Sequence, residues 1–244
     1  MSAQLRAELL KQRSTSTNLG LFLAMLGLVL FAVLLHGLSL PADRLDSASD
    51  QVQVFRWGSL GVLFAGLVGA MSITGEIRHG TIRPTFLVTP RRGRVVAAKV
   101  VAGGLLGIVL GLAAEGVAAG VGSAALAARG IPITIDGSDY ALMFAGGTAG
   151  AVLWAPIGLA LGALVRNQVA TLVAIFVWLF FVENLLVDFV PSVGRFAPGA
   201  AAAAITGVDR DTLLVPALGA LLLAFYAAAA AAAGSIATVR RDVA

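Results

Sequence analysis

Six long apolar stretches, four of them free of charged residues, limit what this 244-residue chain can fold into. A helix needs about 20 apolar residues to cross a hydrocarbon core roughly 30 Å thick. The stretches cover residues 19–38, 57–74, 100–128, 140–165, 169–187 and 213–239. Six of them favour transmembrane helices over buried helices of a soluble core, because helices satisfy their own backbone in lipid. We therefore predict an all-α membrane protein with six spans.

Composition supports this class and excludes several kinds of chemistry. Only 12% of the residues are charged, against about 25% in a soluble domain. The chain has no cysteine and two histidines, His36 and His79, which excludes thiolate sites and does not favour a histidine-built metal centre. Its only lysines, Lys11 and Lys99, do not follow a glycine as a phosphate-binding loop requires. We expect no catalytic residue, cofactor or metal on this chain; if ATP drives the protein, another chain must bind it together with magnesium.

The basic residues are distributed unevenly between the two sides that six spans create. Short cytoplasmic loops are enriched in lysine and arginine. One side carries 12 of the 17 basic residues, namely Arg6, Lys11, Arg13, Arg78, Arg83, Arg91, Arg92, Arg94, Lys99, Arg166, Arg240 and Arg241. The other side carries Arg44, Arg56, Arg129, Arg195 and Arg210 with Asp43, Asp46, Asp50, Asp136, Asp139, Asp188, Asp209 and Asp211. Both termini are predicted to be cytoplasmic, and the net charge of +4 does not require a nucleic-acid partner.

Two segments outside the spans have helical or interrupted apolar patterns. In residues 1–18, Leu5 and Leu9 lie four positions apart beside Leu10, opposite basic residues, which predicts an N-terminal interfacial helix. A solvated basic flank is the alternative. The outer segment 188–211 is apolar but interrupted by prolines and glycines, and we expect a re-entrant hairpin or short interfacial helices between spans five and six.

The loop between spans two and three, residues 75–99, contains recognisable turn and capping signals. Gly80 can end the helix that continues from span two. Thr81 is a candidate N-cap for a short helix with Pro84 in its first turn, and Thr89-Pro90 repeats that signal before span three. Phe86, Leu87 and Val88 would form the apolar face of this helix. The loop could serve only as a positively charged membrane anchor, but that leaves Glu76, the capping signals and the apolar triplet unexplained.

The same loop carries a family resemblance. The run Glu76-Ile-Arg-His-Gly-Thr-Ile-Arg, followed by Thr89-Pro-Arg-Arg-Gly-Arg and Lys99, resembles the first cytoplasmic loop of ABC-2-type permeases, the membrane subunits of ABC exporters. The N-terminal run AELLKQRST and the order of the spans are also similar to that family. The resemblance implies a coupling helix seated in a groove of an ATPase subunit. The residues that match the coupling motif and the stretch after it are Glu76, Arg78, Gly80, Thr81, Arg83, Thr89, Arg91 and Arg92.

Polar groups and glycines inside the spans are further candidates. A charge at the centre of a span is costly, so Glu115 should have a partner, face a cavity or be protonated. It could serve a substrate path or proton-linked step, or a structural hydrogen bond. Glu183, followed by Asn184, is expected to hold the outer hairpin. Glycines spaced mostly four residues apart predict close helix packing. They are Gly103, Gly107, Gly111, Gly116 and Gly120 in span three, and Gly158 and Gly162 in span four. A composition rich in glycine and alanine could produce the same pattern.

These expectations together describe half of an exporter. Two copies of the chain would form a translocation path in the cell inner or plasma membrane, and two ATPase subunits would bind the 75–99 loops. A secondary carrier or accessory membrane protein is the first alternative, although no repeat relates the two halves of the chain. An intramembrane enzyme is less favoured, because Glu115 and Glu183 lie on different helices at different depths.

Overall fold

A computed structural model of the chain describes residues 2–89, 91–206 and 212–240. Within these ranges every regular element is helical. The predicted outer charges Asp209, Arg210 and Asp211, the predicted cytoplasmic Arg241, and Pro90 of the Thr89-Pro90 signal lie outside the described residues.

The helices follow one another with short connections. They are α1 (Ser2–Ser14), α2 (Ser16–Ser39), α3 (Ala48–Phe55), α4 (Leu60–Arg78), α5 (Ile82–Val88), α6 (Arg92–Ala128), α7 (Gly137–Val165), α8 (Gln168–Val177), α9 (Glu183–Phe189), α10 (Pro191–Gly194), α11 (Pro198–Ile205) and α12 (Pro216–Arg240). Short 3-10 turns occupy Ala42–Arg44 and Arg56–Ser59, and a π-helical turn, Trp178–Val182, joins α8 to α9.

Six helical segments are long and apolar enough to cross a membrane, which confirms the predicted number and class. They are Ser16–Ser39, Ala48–Arg78, Arg92–Ala128, Gly137–Val165, Gln168–Phe189 and Pro216–Thr238. The chain is therefore a multi-pass membrane protein. Span two begins nine residues before the predicted residue 57, because α3 and the turn after it run directly into α4. Ser47 caps α3 by accepting a hydrogen bond from the Asp50 amide.

The spans form a bundle with a buried centre and an apolar outer surface. Spans two, three and four contact one another most extensively, whereas spans one, five and six bury about a fifth of their residues. Leu23 and Phe31 of α2 and Phe225 of α12 are among the exposed apolar side chains. Such outer faces suit contact with lipid tails, where apolar exposure has no cost.

Close backbone contacts confirm the predicted glycine packing only in part. An alanine methyl group at Gly107 would lie 2.8 Å from the Ala151 carbonyl oxygen, and one at Gly111 would lie 2.6 Å from the Thr148 Cα. Gly158 and Gly162 similarly abut the backbone of α4. At Gly103 the nearest atom, the Ala155 methyl, is at an ordinary 3.5 Å.

The prediction is wrong at the end of the span-three stripe. A methyl group at Gly116 or Gly120 would meet no atom within 4 Å among the described residues. These two glycines therefore make no close helix contact within the described residues.

We call the end of the bundle that carries α1, α5 and Arg166 the proximal end, and the opposite end the distal end. Polar side chains join the distal loops. The buried Gln51 amide donates to the carbonyl oxygens of Leu45 (2.9 Å) and Pro132 (2.8 Å), and its oxygen accepts from the Thr134 amide. Asp136 caps α7 by accepting from the amides of Ser138 and Asp139.

Candidate functional site

The proximal loop turns sharply before α5. Gly80 has a φ of +68°, the left-handed conformation expected after a helix end, and the preceding helix ends at Arg78 as the sequence indicates. Pro84 lies in the first turn of α5, where its missing N–H is tolerated. Thr81 occupies the N-cap position of α5 as predicted, but its side chain makes no capping hydrogen bond, so that part of the prediction is wrong.

The predicted cap at Thr89 is also wrong. Span three begins at Arg92, and the residue before it, Arg91, provides no side-chain cap. The Thr89 hydroxyl instead donates to the side-chain oxygen of Gln4 in α1 at 3.1 Å. The neighbouring helix α1 supplies an acceptor that the local sequence pattern does not reveal.

The predicted apolar face of α5 divides into two. Phe86 is buried together with Ile82, in a cluster formed by Ile73 of α4, Val95 and Val96 of α6, and Leu159 and Ala163 of α7. Leu87 and Val88 are 82% and 85% exposed. The helix is therefore held against three spans by one face and presents an apolar pair on the other.

The predicted arginines surround this helix in different roles. Arg78, Arg83 and Arg91 are exposed, as are Gly80 and Thr81. Arg78 donates to the Gln168 side chain at 3.3 Å. Arg92 is half-buried, with its guanidinium 5.2 Å from the Phe86 ring centroid and 3.4 Å from the Thr238 carbonyl oxygen. Arg92 thus braces the proximal ends of α5 and α12.

Glu76 lies beneath the loop rather than on its exposed surface. One of its carboxylate oxygens pairs with two ammonium groups, Lys11 at 2.7 Å and Lys99 at 2.9 Å. Glu8 of α1 pairs with the same two lysines, at 2.9 Å from Lys11 and 2.8 Å from Lys99. We call Glu8, Lys11, Glu76 and Lys99 the four-charge cluster.

Burial makes the four-charge cluster energetically important. Lys99 and Glu8 are 2% and 1% exposed, whereas Lys11 is 43% exposed. Lys99 also donates to the Ser72 carbonyl oxygen at 2.9 Å, which occupies a third proton of its ammonium group. Two positive and two negative charges balance, so the cluster buries no net charge. Removing one partner from a buried pair typically costs about 3–5 kcal/mol, because an uncompensated charge remains.

Lys11 lies in α1, outside the spans, and its pKa is shifted. Burial on its own would lower the pKa of Lys11, but its hydrogen bonds to Glu76 and Glu8 and their negative charges raise that pKa above 10.5. A raised pKa stabilises the fold below pH 10.5, and this contribution is lost as the pH rises further.

The four-charge cluster was not predicted, because its ion pairs join residues far apart in sequence. Lys99 and Glu8 are 91 positions apart, and Lys11 and Glu76 are 65 apart. The available signal was the position of both lysines beside the membrane with an acid one turn from Lys11. The predicted apolar face of α1 is only part of its packed face: Leu5 and Leu9 are half-buried beside the buried Glu8 and Gln12, and Leu10 is exposed.

Glu183 and Asn184 are fully engaged at the distal end. The Glu183 carboxylate accepts hydrogen bonds from the Trp178 indole and, at 3.0 Å, from the Ala200 amide in the first turn of α11. Asn184 donates to the carbonyl oxygens of Leu179 (3.0 Å) and Phe180 (3.1 Å) in the π-helical turn. Glu183 therefore holds the start of α11 against span five. A cavity of about 350 Å³ lies beside it, lined in part by Arg56 and Trp57.

Glu115 is buried at the centre of the bundle. A methyl group on either Gly58 or Gly147 would overlap its carboxylate oxygens, so the two glycines provide the space it occupies. Within the described ranges it forms no hydrogen bond or ion pair, so the structural hydrogen bond considered for it is not made there.

The described residues contain no group of three or more His, Asp or Glu side chains that could hold a metal ion. No protein-family model matches the chain, and no curated protein matches it at a significant level. What can be argued about its function therefore rests on its own residues and their geometry.

Proposed function

We propose that the chain is the membrane subunit of an ATP-driven exporter of the ABC-2 permease type, with α5 as the element that docks into a separate ATPase subunit. The observation that carries this proposal is the exposed pair Leu87 and Val88, set among exposed arginines at the proximal end of the bundle. The resemblance of residues 76–94 to the coupling loop of that family supports the same function.

The exposed pair lies in a strongly basic loop, which argues against burial in lipid tails. Arg83, Arg91 and Arg94 are all exposed beside it. Interfaces between proteins commonly bury an apolar centre inside a polar rim. The partner surface that fits α5 is therefore an apolar groove with acidic edges.

The buried face of α5 provides a route from the partner to the spans. Ile82 and Phe86 contact residues of α4, α6 and α7. A displacement of α5 would therefore be transmitted to spans two, three and four together. A partner can shift the arrangement of these spans only if it binds one arrangement more tightly, which ATP binding would provide.

The remaining features complete the proposal. The proximal end faces the cytoplasm of the inner or plasma membrane, a second copy of the chain completes the translocation path, and ATP with magnesium is held by the ATPase. The distal segment around α11, held by Glu183, forms a re-entrant hairpin that controls the outer end of the path. Its cavity of about 350 Å³ has mostly apolar walls, which suits an apolar or amphipathic cargo.

The docking role is tested by coexpressing the full chain with each ATP-binding cassette subunit of the same genome in turn and measuring the ATPase that copurifies. The double variant Leu87→Asp, Val88→Asp should retain at most about a tenth of the ATPase, because burying two charges in an apolar groove costs well over 1.4 kcal/mol. Ile133→Asp, at an exposed apolar position of a distal loop, is the matched control and should retain it fully. Equal copurification with the Leu87, Val88 double variant would refute docking through α5.

A further inference from the structure

We propose that the four-charge cluster fastens α1 to both ends of the loop, so that α1 and the loop move as one body and carry span one with them. Lys99 is the positioning residue of this unit. The inference goes beyond docking: it concerns the internal mechanics of the chain and does not require an ATPase as the partner.

The attachment points lie at the two ends of the 75–99 loop. Glu76 is in the last turn of α4, and Lys99 is two turns into α6. Lys99 pairs with Glu8 of α1, and Glu76 pairs with Lys11 of α1. The bond from Thr89 to Gln4 adds a third attachment within the loop. A movement of the loop relative to α1 would have to break all three.

Two ion pairs make the attachment hard to break. If α1 left the bundle, the Lys11–Glu76 and Lys99–Glu8 pairs would be lost, and the buried Lys99 would keep Glu76 as its one carboxylate partner. The apolar residues of α1 contribute less, because Leu5 and Leu9 are only half-buried and Leu10 is exposed, whereas Glu8 and Gln12 are buried. The position of α1 is therefore set mainly by ion pairs and hydrogen bonds.

The junction between α1 and span one is also fixed by side chains. Only Thr15 separates α1 from α2, and its hydroxyl donates to the Lys11 carbonyl oxygen at 2.6 Å. Asn18 of α2 donates to the Gln12 carbonyl oxygen at 3.0 Å and to its side-chain oxygen. Span one itself is among the least buried spans. The cluster and this junction give it a direct connection to the loop.

The variants separate charge balance from the mere loss of a contact. Lys99→Gln leaves the cluster with one excess negative charge, and Glu8→Gln leaves one excess positive charge. The double variant Glu8→Gln, Lys99→Gln keeps the neutral Lys11–Glu76 pair. Lys11→Gln also leaves one excess negative charge, but at the half-exposed edge of the cluster, where water screens it. The double variant should therefore be less damaging than Lys99→Gln. If each substitution only removed a contact, the double variant would instead be the more damaging of the two.

The absence of cysteine from the chain allows a direct measurement. Gln4→Cys and Thr89→Cys are introduced into the full chain, which is reconstituted in liposomes, and a short bis-methanethiosulfonate joins α1 to the loop through disulfides that a reductant opens. The two substitutions remove the Thr89–Gln4 bond from every variant alike, so the rates compare the four-charge cluster alone. We expect rapid crosslinking with the cluster intact, on the order of tenfold slower crosslinking with Lys99→Gln, and a rate within about threefold of the original with the double Gln variant or with Lys11→Gln.

Two results would overturn the proposal: an unchanged crosslinking rate with Lys99→Gln, or a double Gln variant as slow as Lys99→Gln. If Lys99→Gln does not fold, Glu8→Gln provides the same comparison with the opposite excess charge. In a complex with the ATPase, the crosslinked chain should keep at least half of its ATP-dependent activity, since α1 and the loop move together. A loss of ATP-dependent activity on crosslinking that reductant reverses would show instead that α1 and the loop must separate. Failure of the ATPase to copurify is a different result and concerns the docking proposal alone.

Discussion

Two glycines five positions apart on span three should respond oppositely to alanine. At Gly111, the new methyl group would lie 2.6 Å from the Thr148 Cα and 3.2 Å from its amide nitrogen. Carbon atoms pack at about 3.5–4.0 Å, so α6 and α7 would have to separate by about 1 Å. At Gly116 the methyl group would meet no atom within 4 Å in the described part of the chain.

The magnitudes follow from two opposing effects. Overpacking of a close contact costs about 1–3 kcal/mol, and replacing a helical glycine by alanine returns about 0.5–1 kcal/mol. Gly111→Ala should therefore be destabilising by about 0.5–2 kcal/mol, and Gly116→Ala should be stabilising by about 0.5–1 kcal/mol. For a chain of this size, a difference of 2 kcal/mol corresponds to roughly 4–8 °C in Tm.

Thermal unfolding of the purified full chain in detergent, followed by tryptophan fluorescence, measures this difference. Gly116→Ala serves as the matched control, because it has the same chemistry on the same helix without the contact. Shifts of equal sign and size in the two variants would refute the argument that Gly111 is required for the approach of α6 to α7.

Two further predictions concern the distal end. Glu183→Ala should release the start of α11, because the Ala200 amide loses its acceptor, and thiol labelling of an Ala203→Cys reporter should become severalfold faster. Glu183→Gln keeps an acceptor oxygen and should have a smaller effect. Equal labelling rates in the two variants would contradict this. The pKa of Asp136 is lowered by hydrogen bonds from the Ser138 side chain and the Asp139 and Ser138 amides. The contribution of this cap to stability is therefore complete at neutral pH and is lost as the pH falls below 3.8. The Tm difference between the original chain and Asp136→Ala should shrink in acid. A Tm difference that does not depend on pH would contradict this.

The fold class could be read from the sequence because membrane insertion requires long uncharged runs, and those runs are local. The limits of span two could not be read from the sequence in the same way. Residues 48–55 are polar enough to resemble a loop, yet Gln51 is fully buried because its amide is satisfied by Leu45, Pro132 and Thr134. A buried polar residue with distant partners leaves no local signal.

The candidate site was predicted in outline and not in detail. Turn chemistry placed a short helix between spans two and three, and Gly80 and Pro84 act there as expected. Thr89 binds Gln4 instead of capping, and Glu76 pairs with lysines on two other helices. These partners are set by tertiary packing, which periodicity and capping rules do not contain.

Both lysines of the chain lie in the four-charge cluster, and this makes the docking of α1 accessible to amine chemistry. An acylating reagent reaches the half-exposed Lys11 in the packed arrangement, but it meets Lys99 only when α1 has left the bundle. The ratio of acylation at these two side chains therefore reports how often α1 detaches. It does so in the unmodified sequence, with the more exposed lysine as an internal standard for the less exposed one.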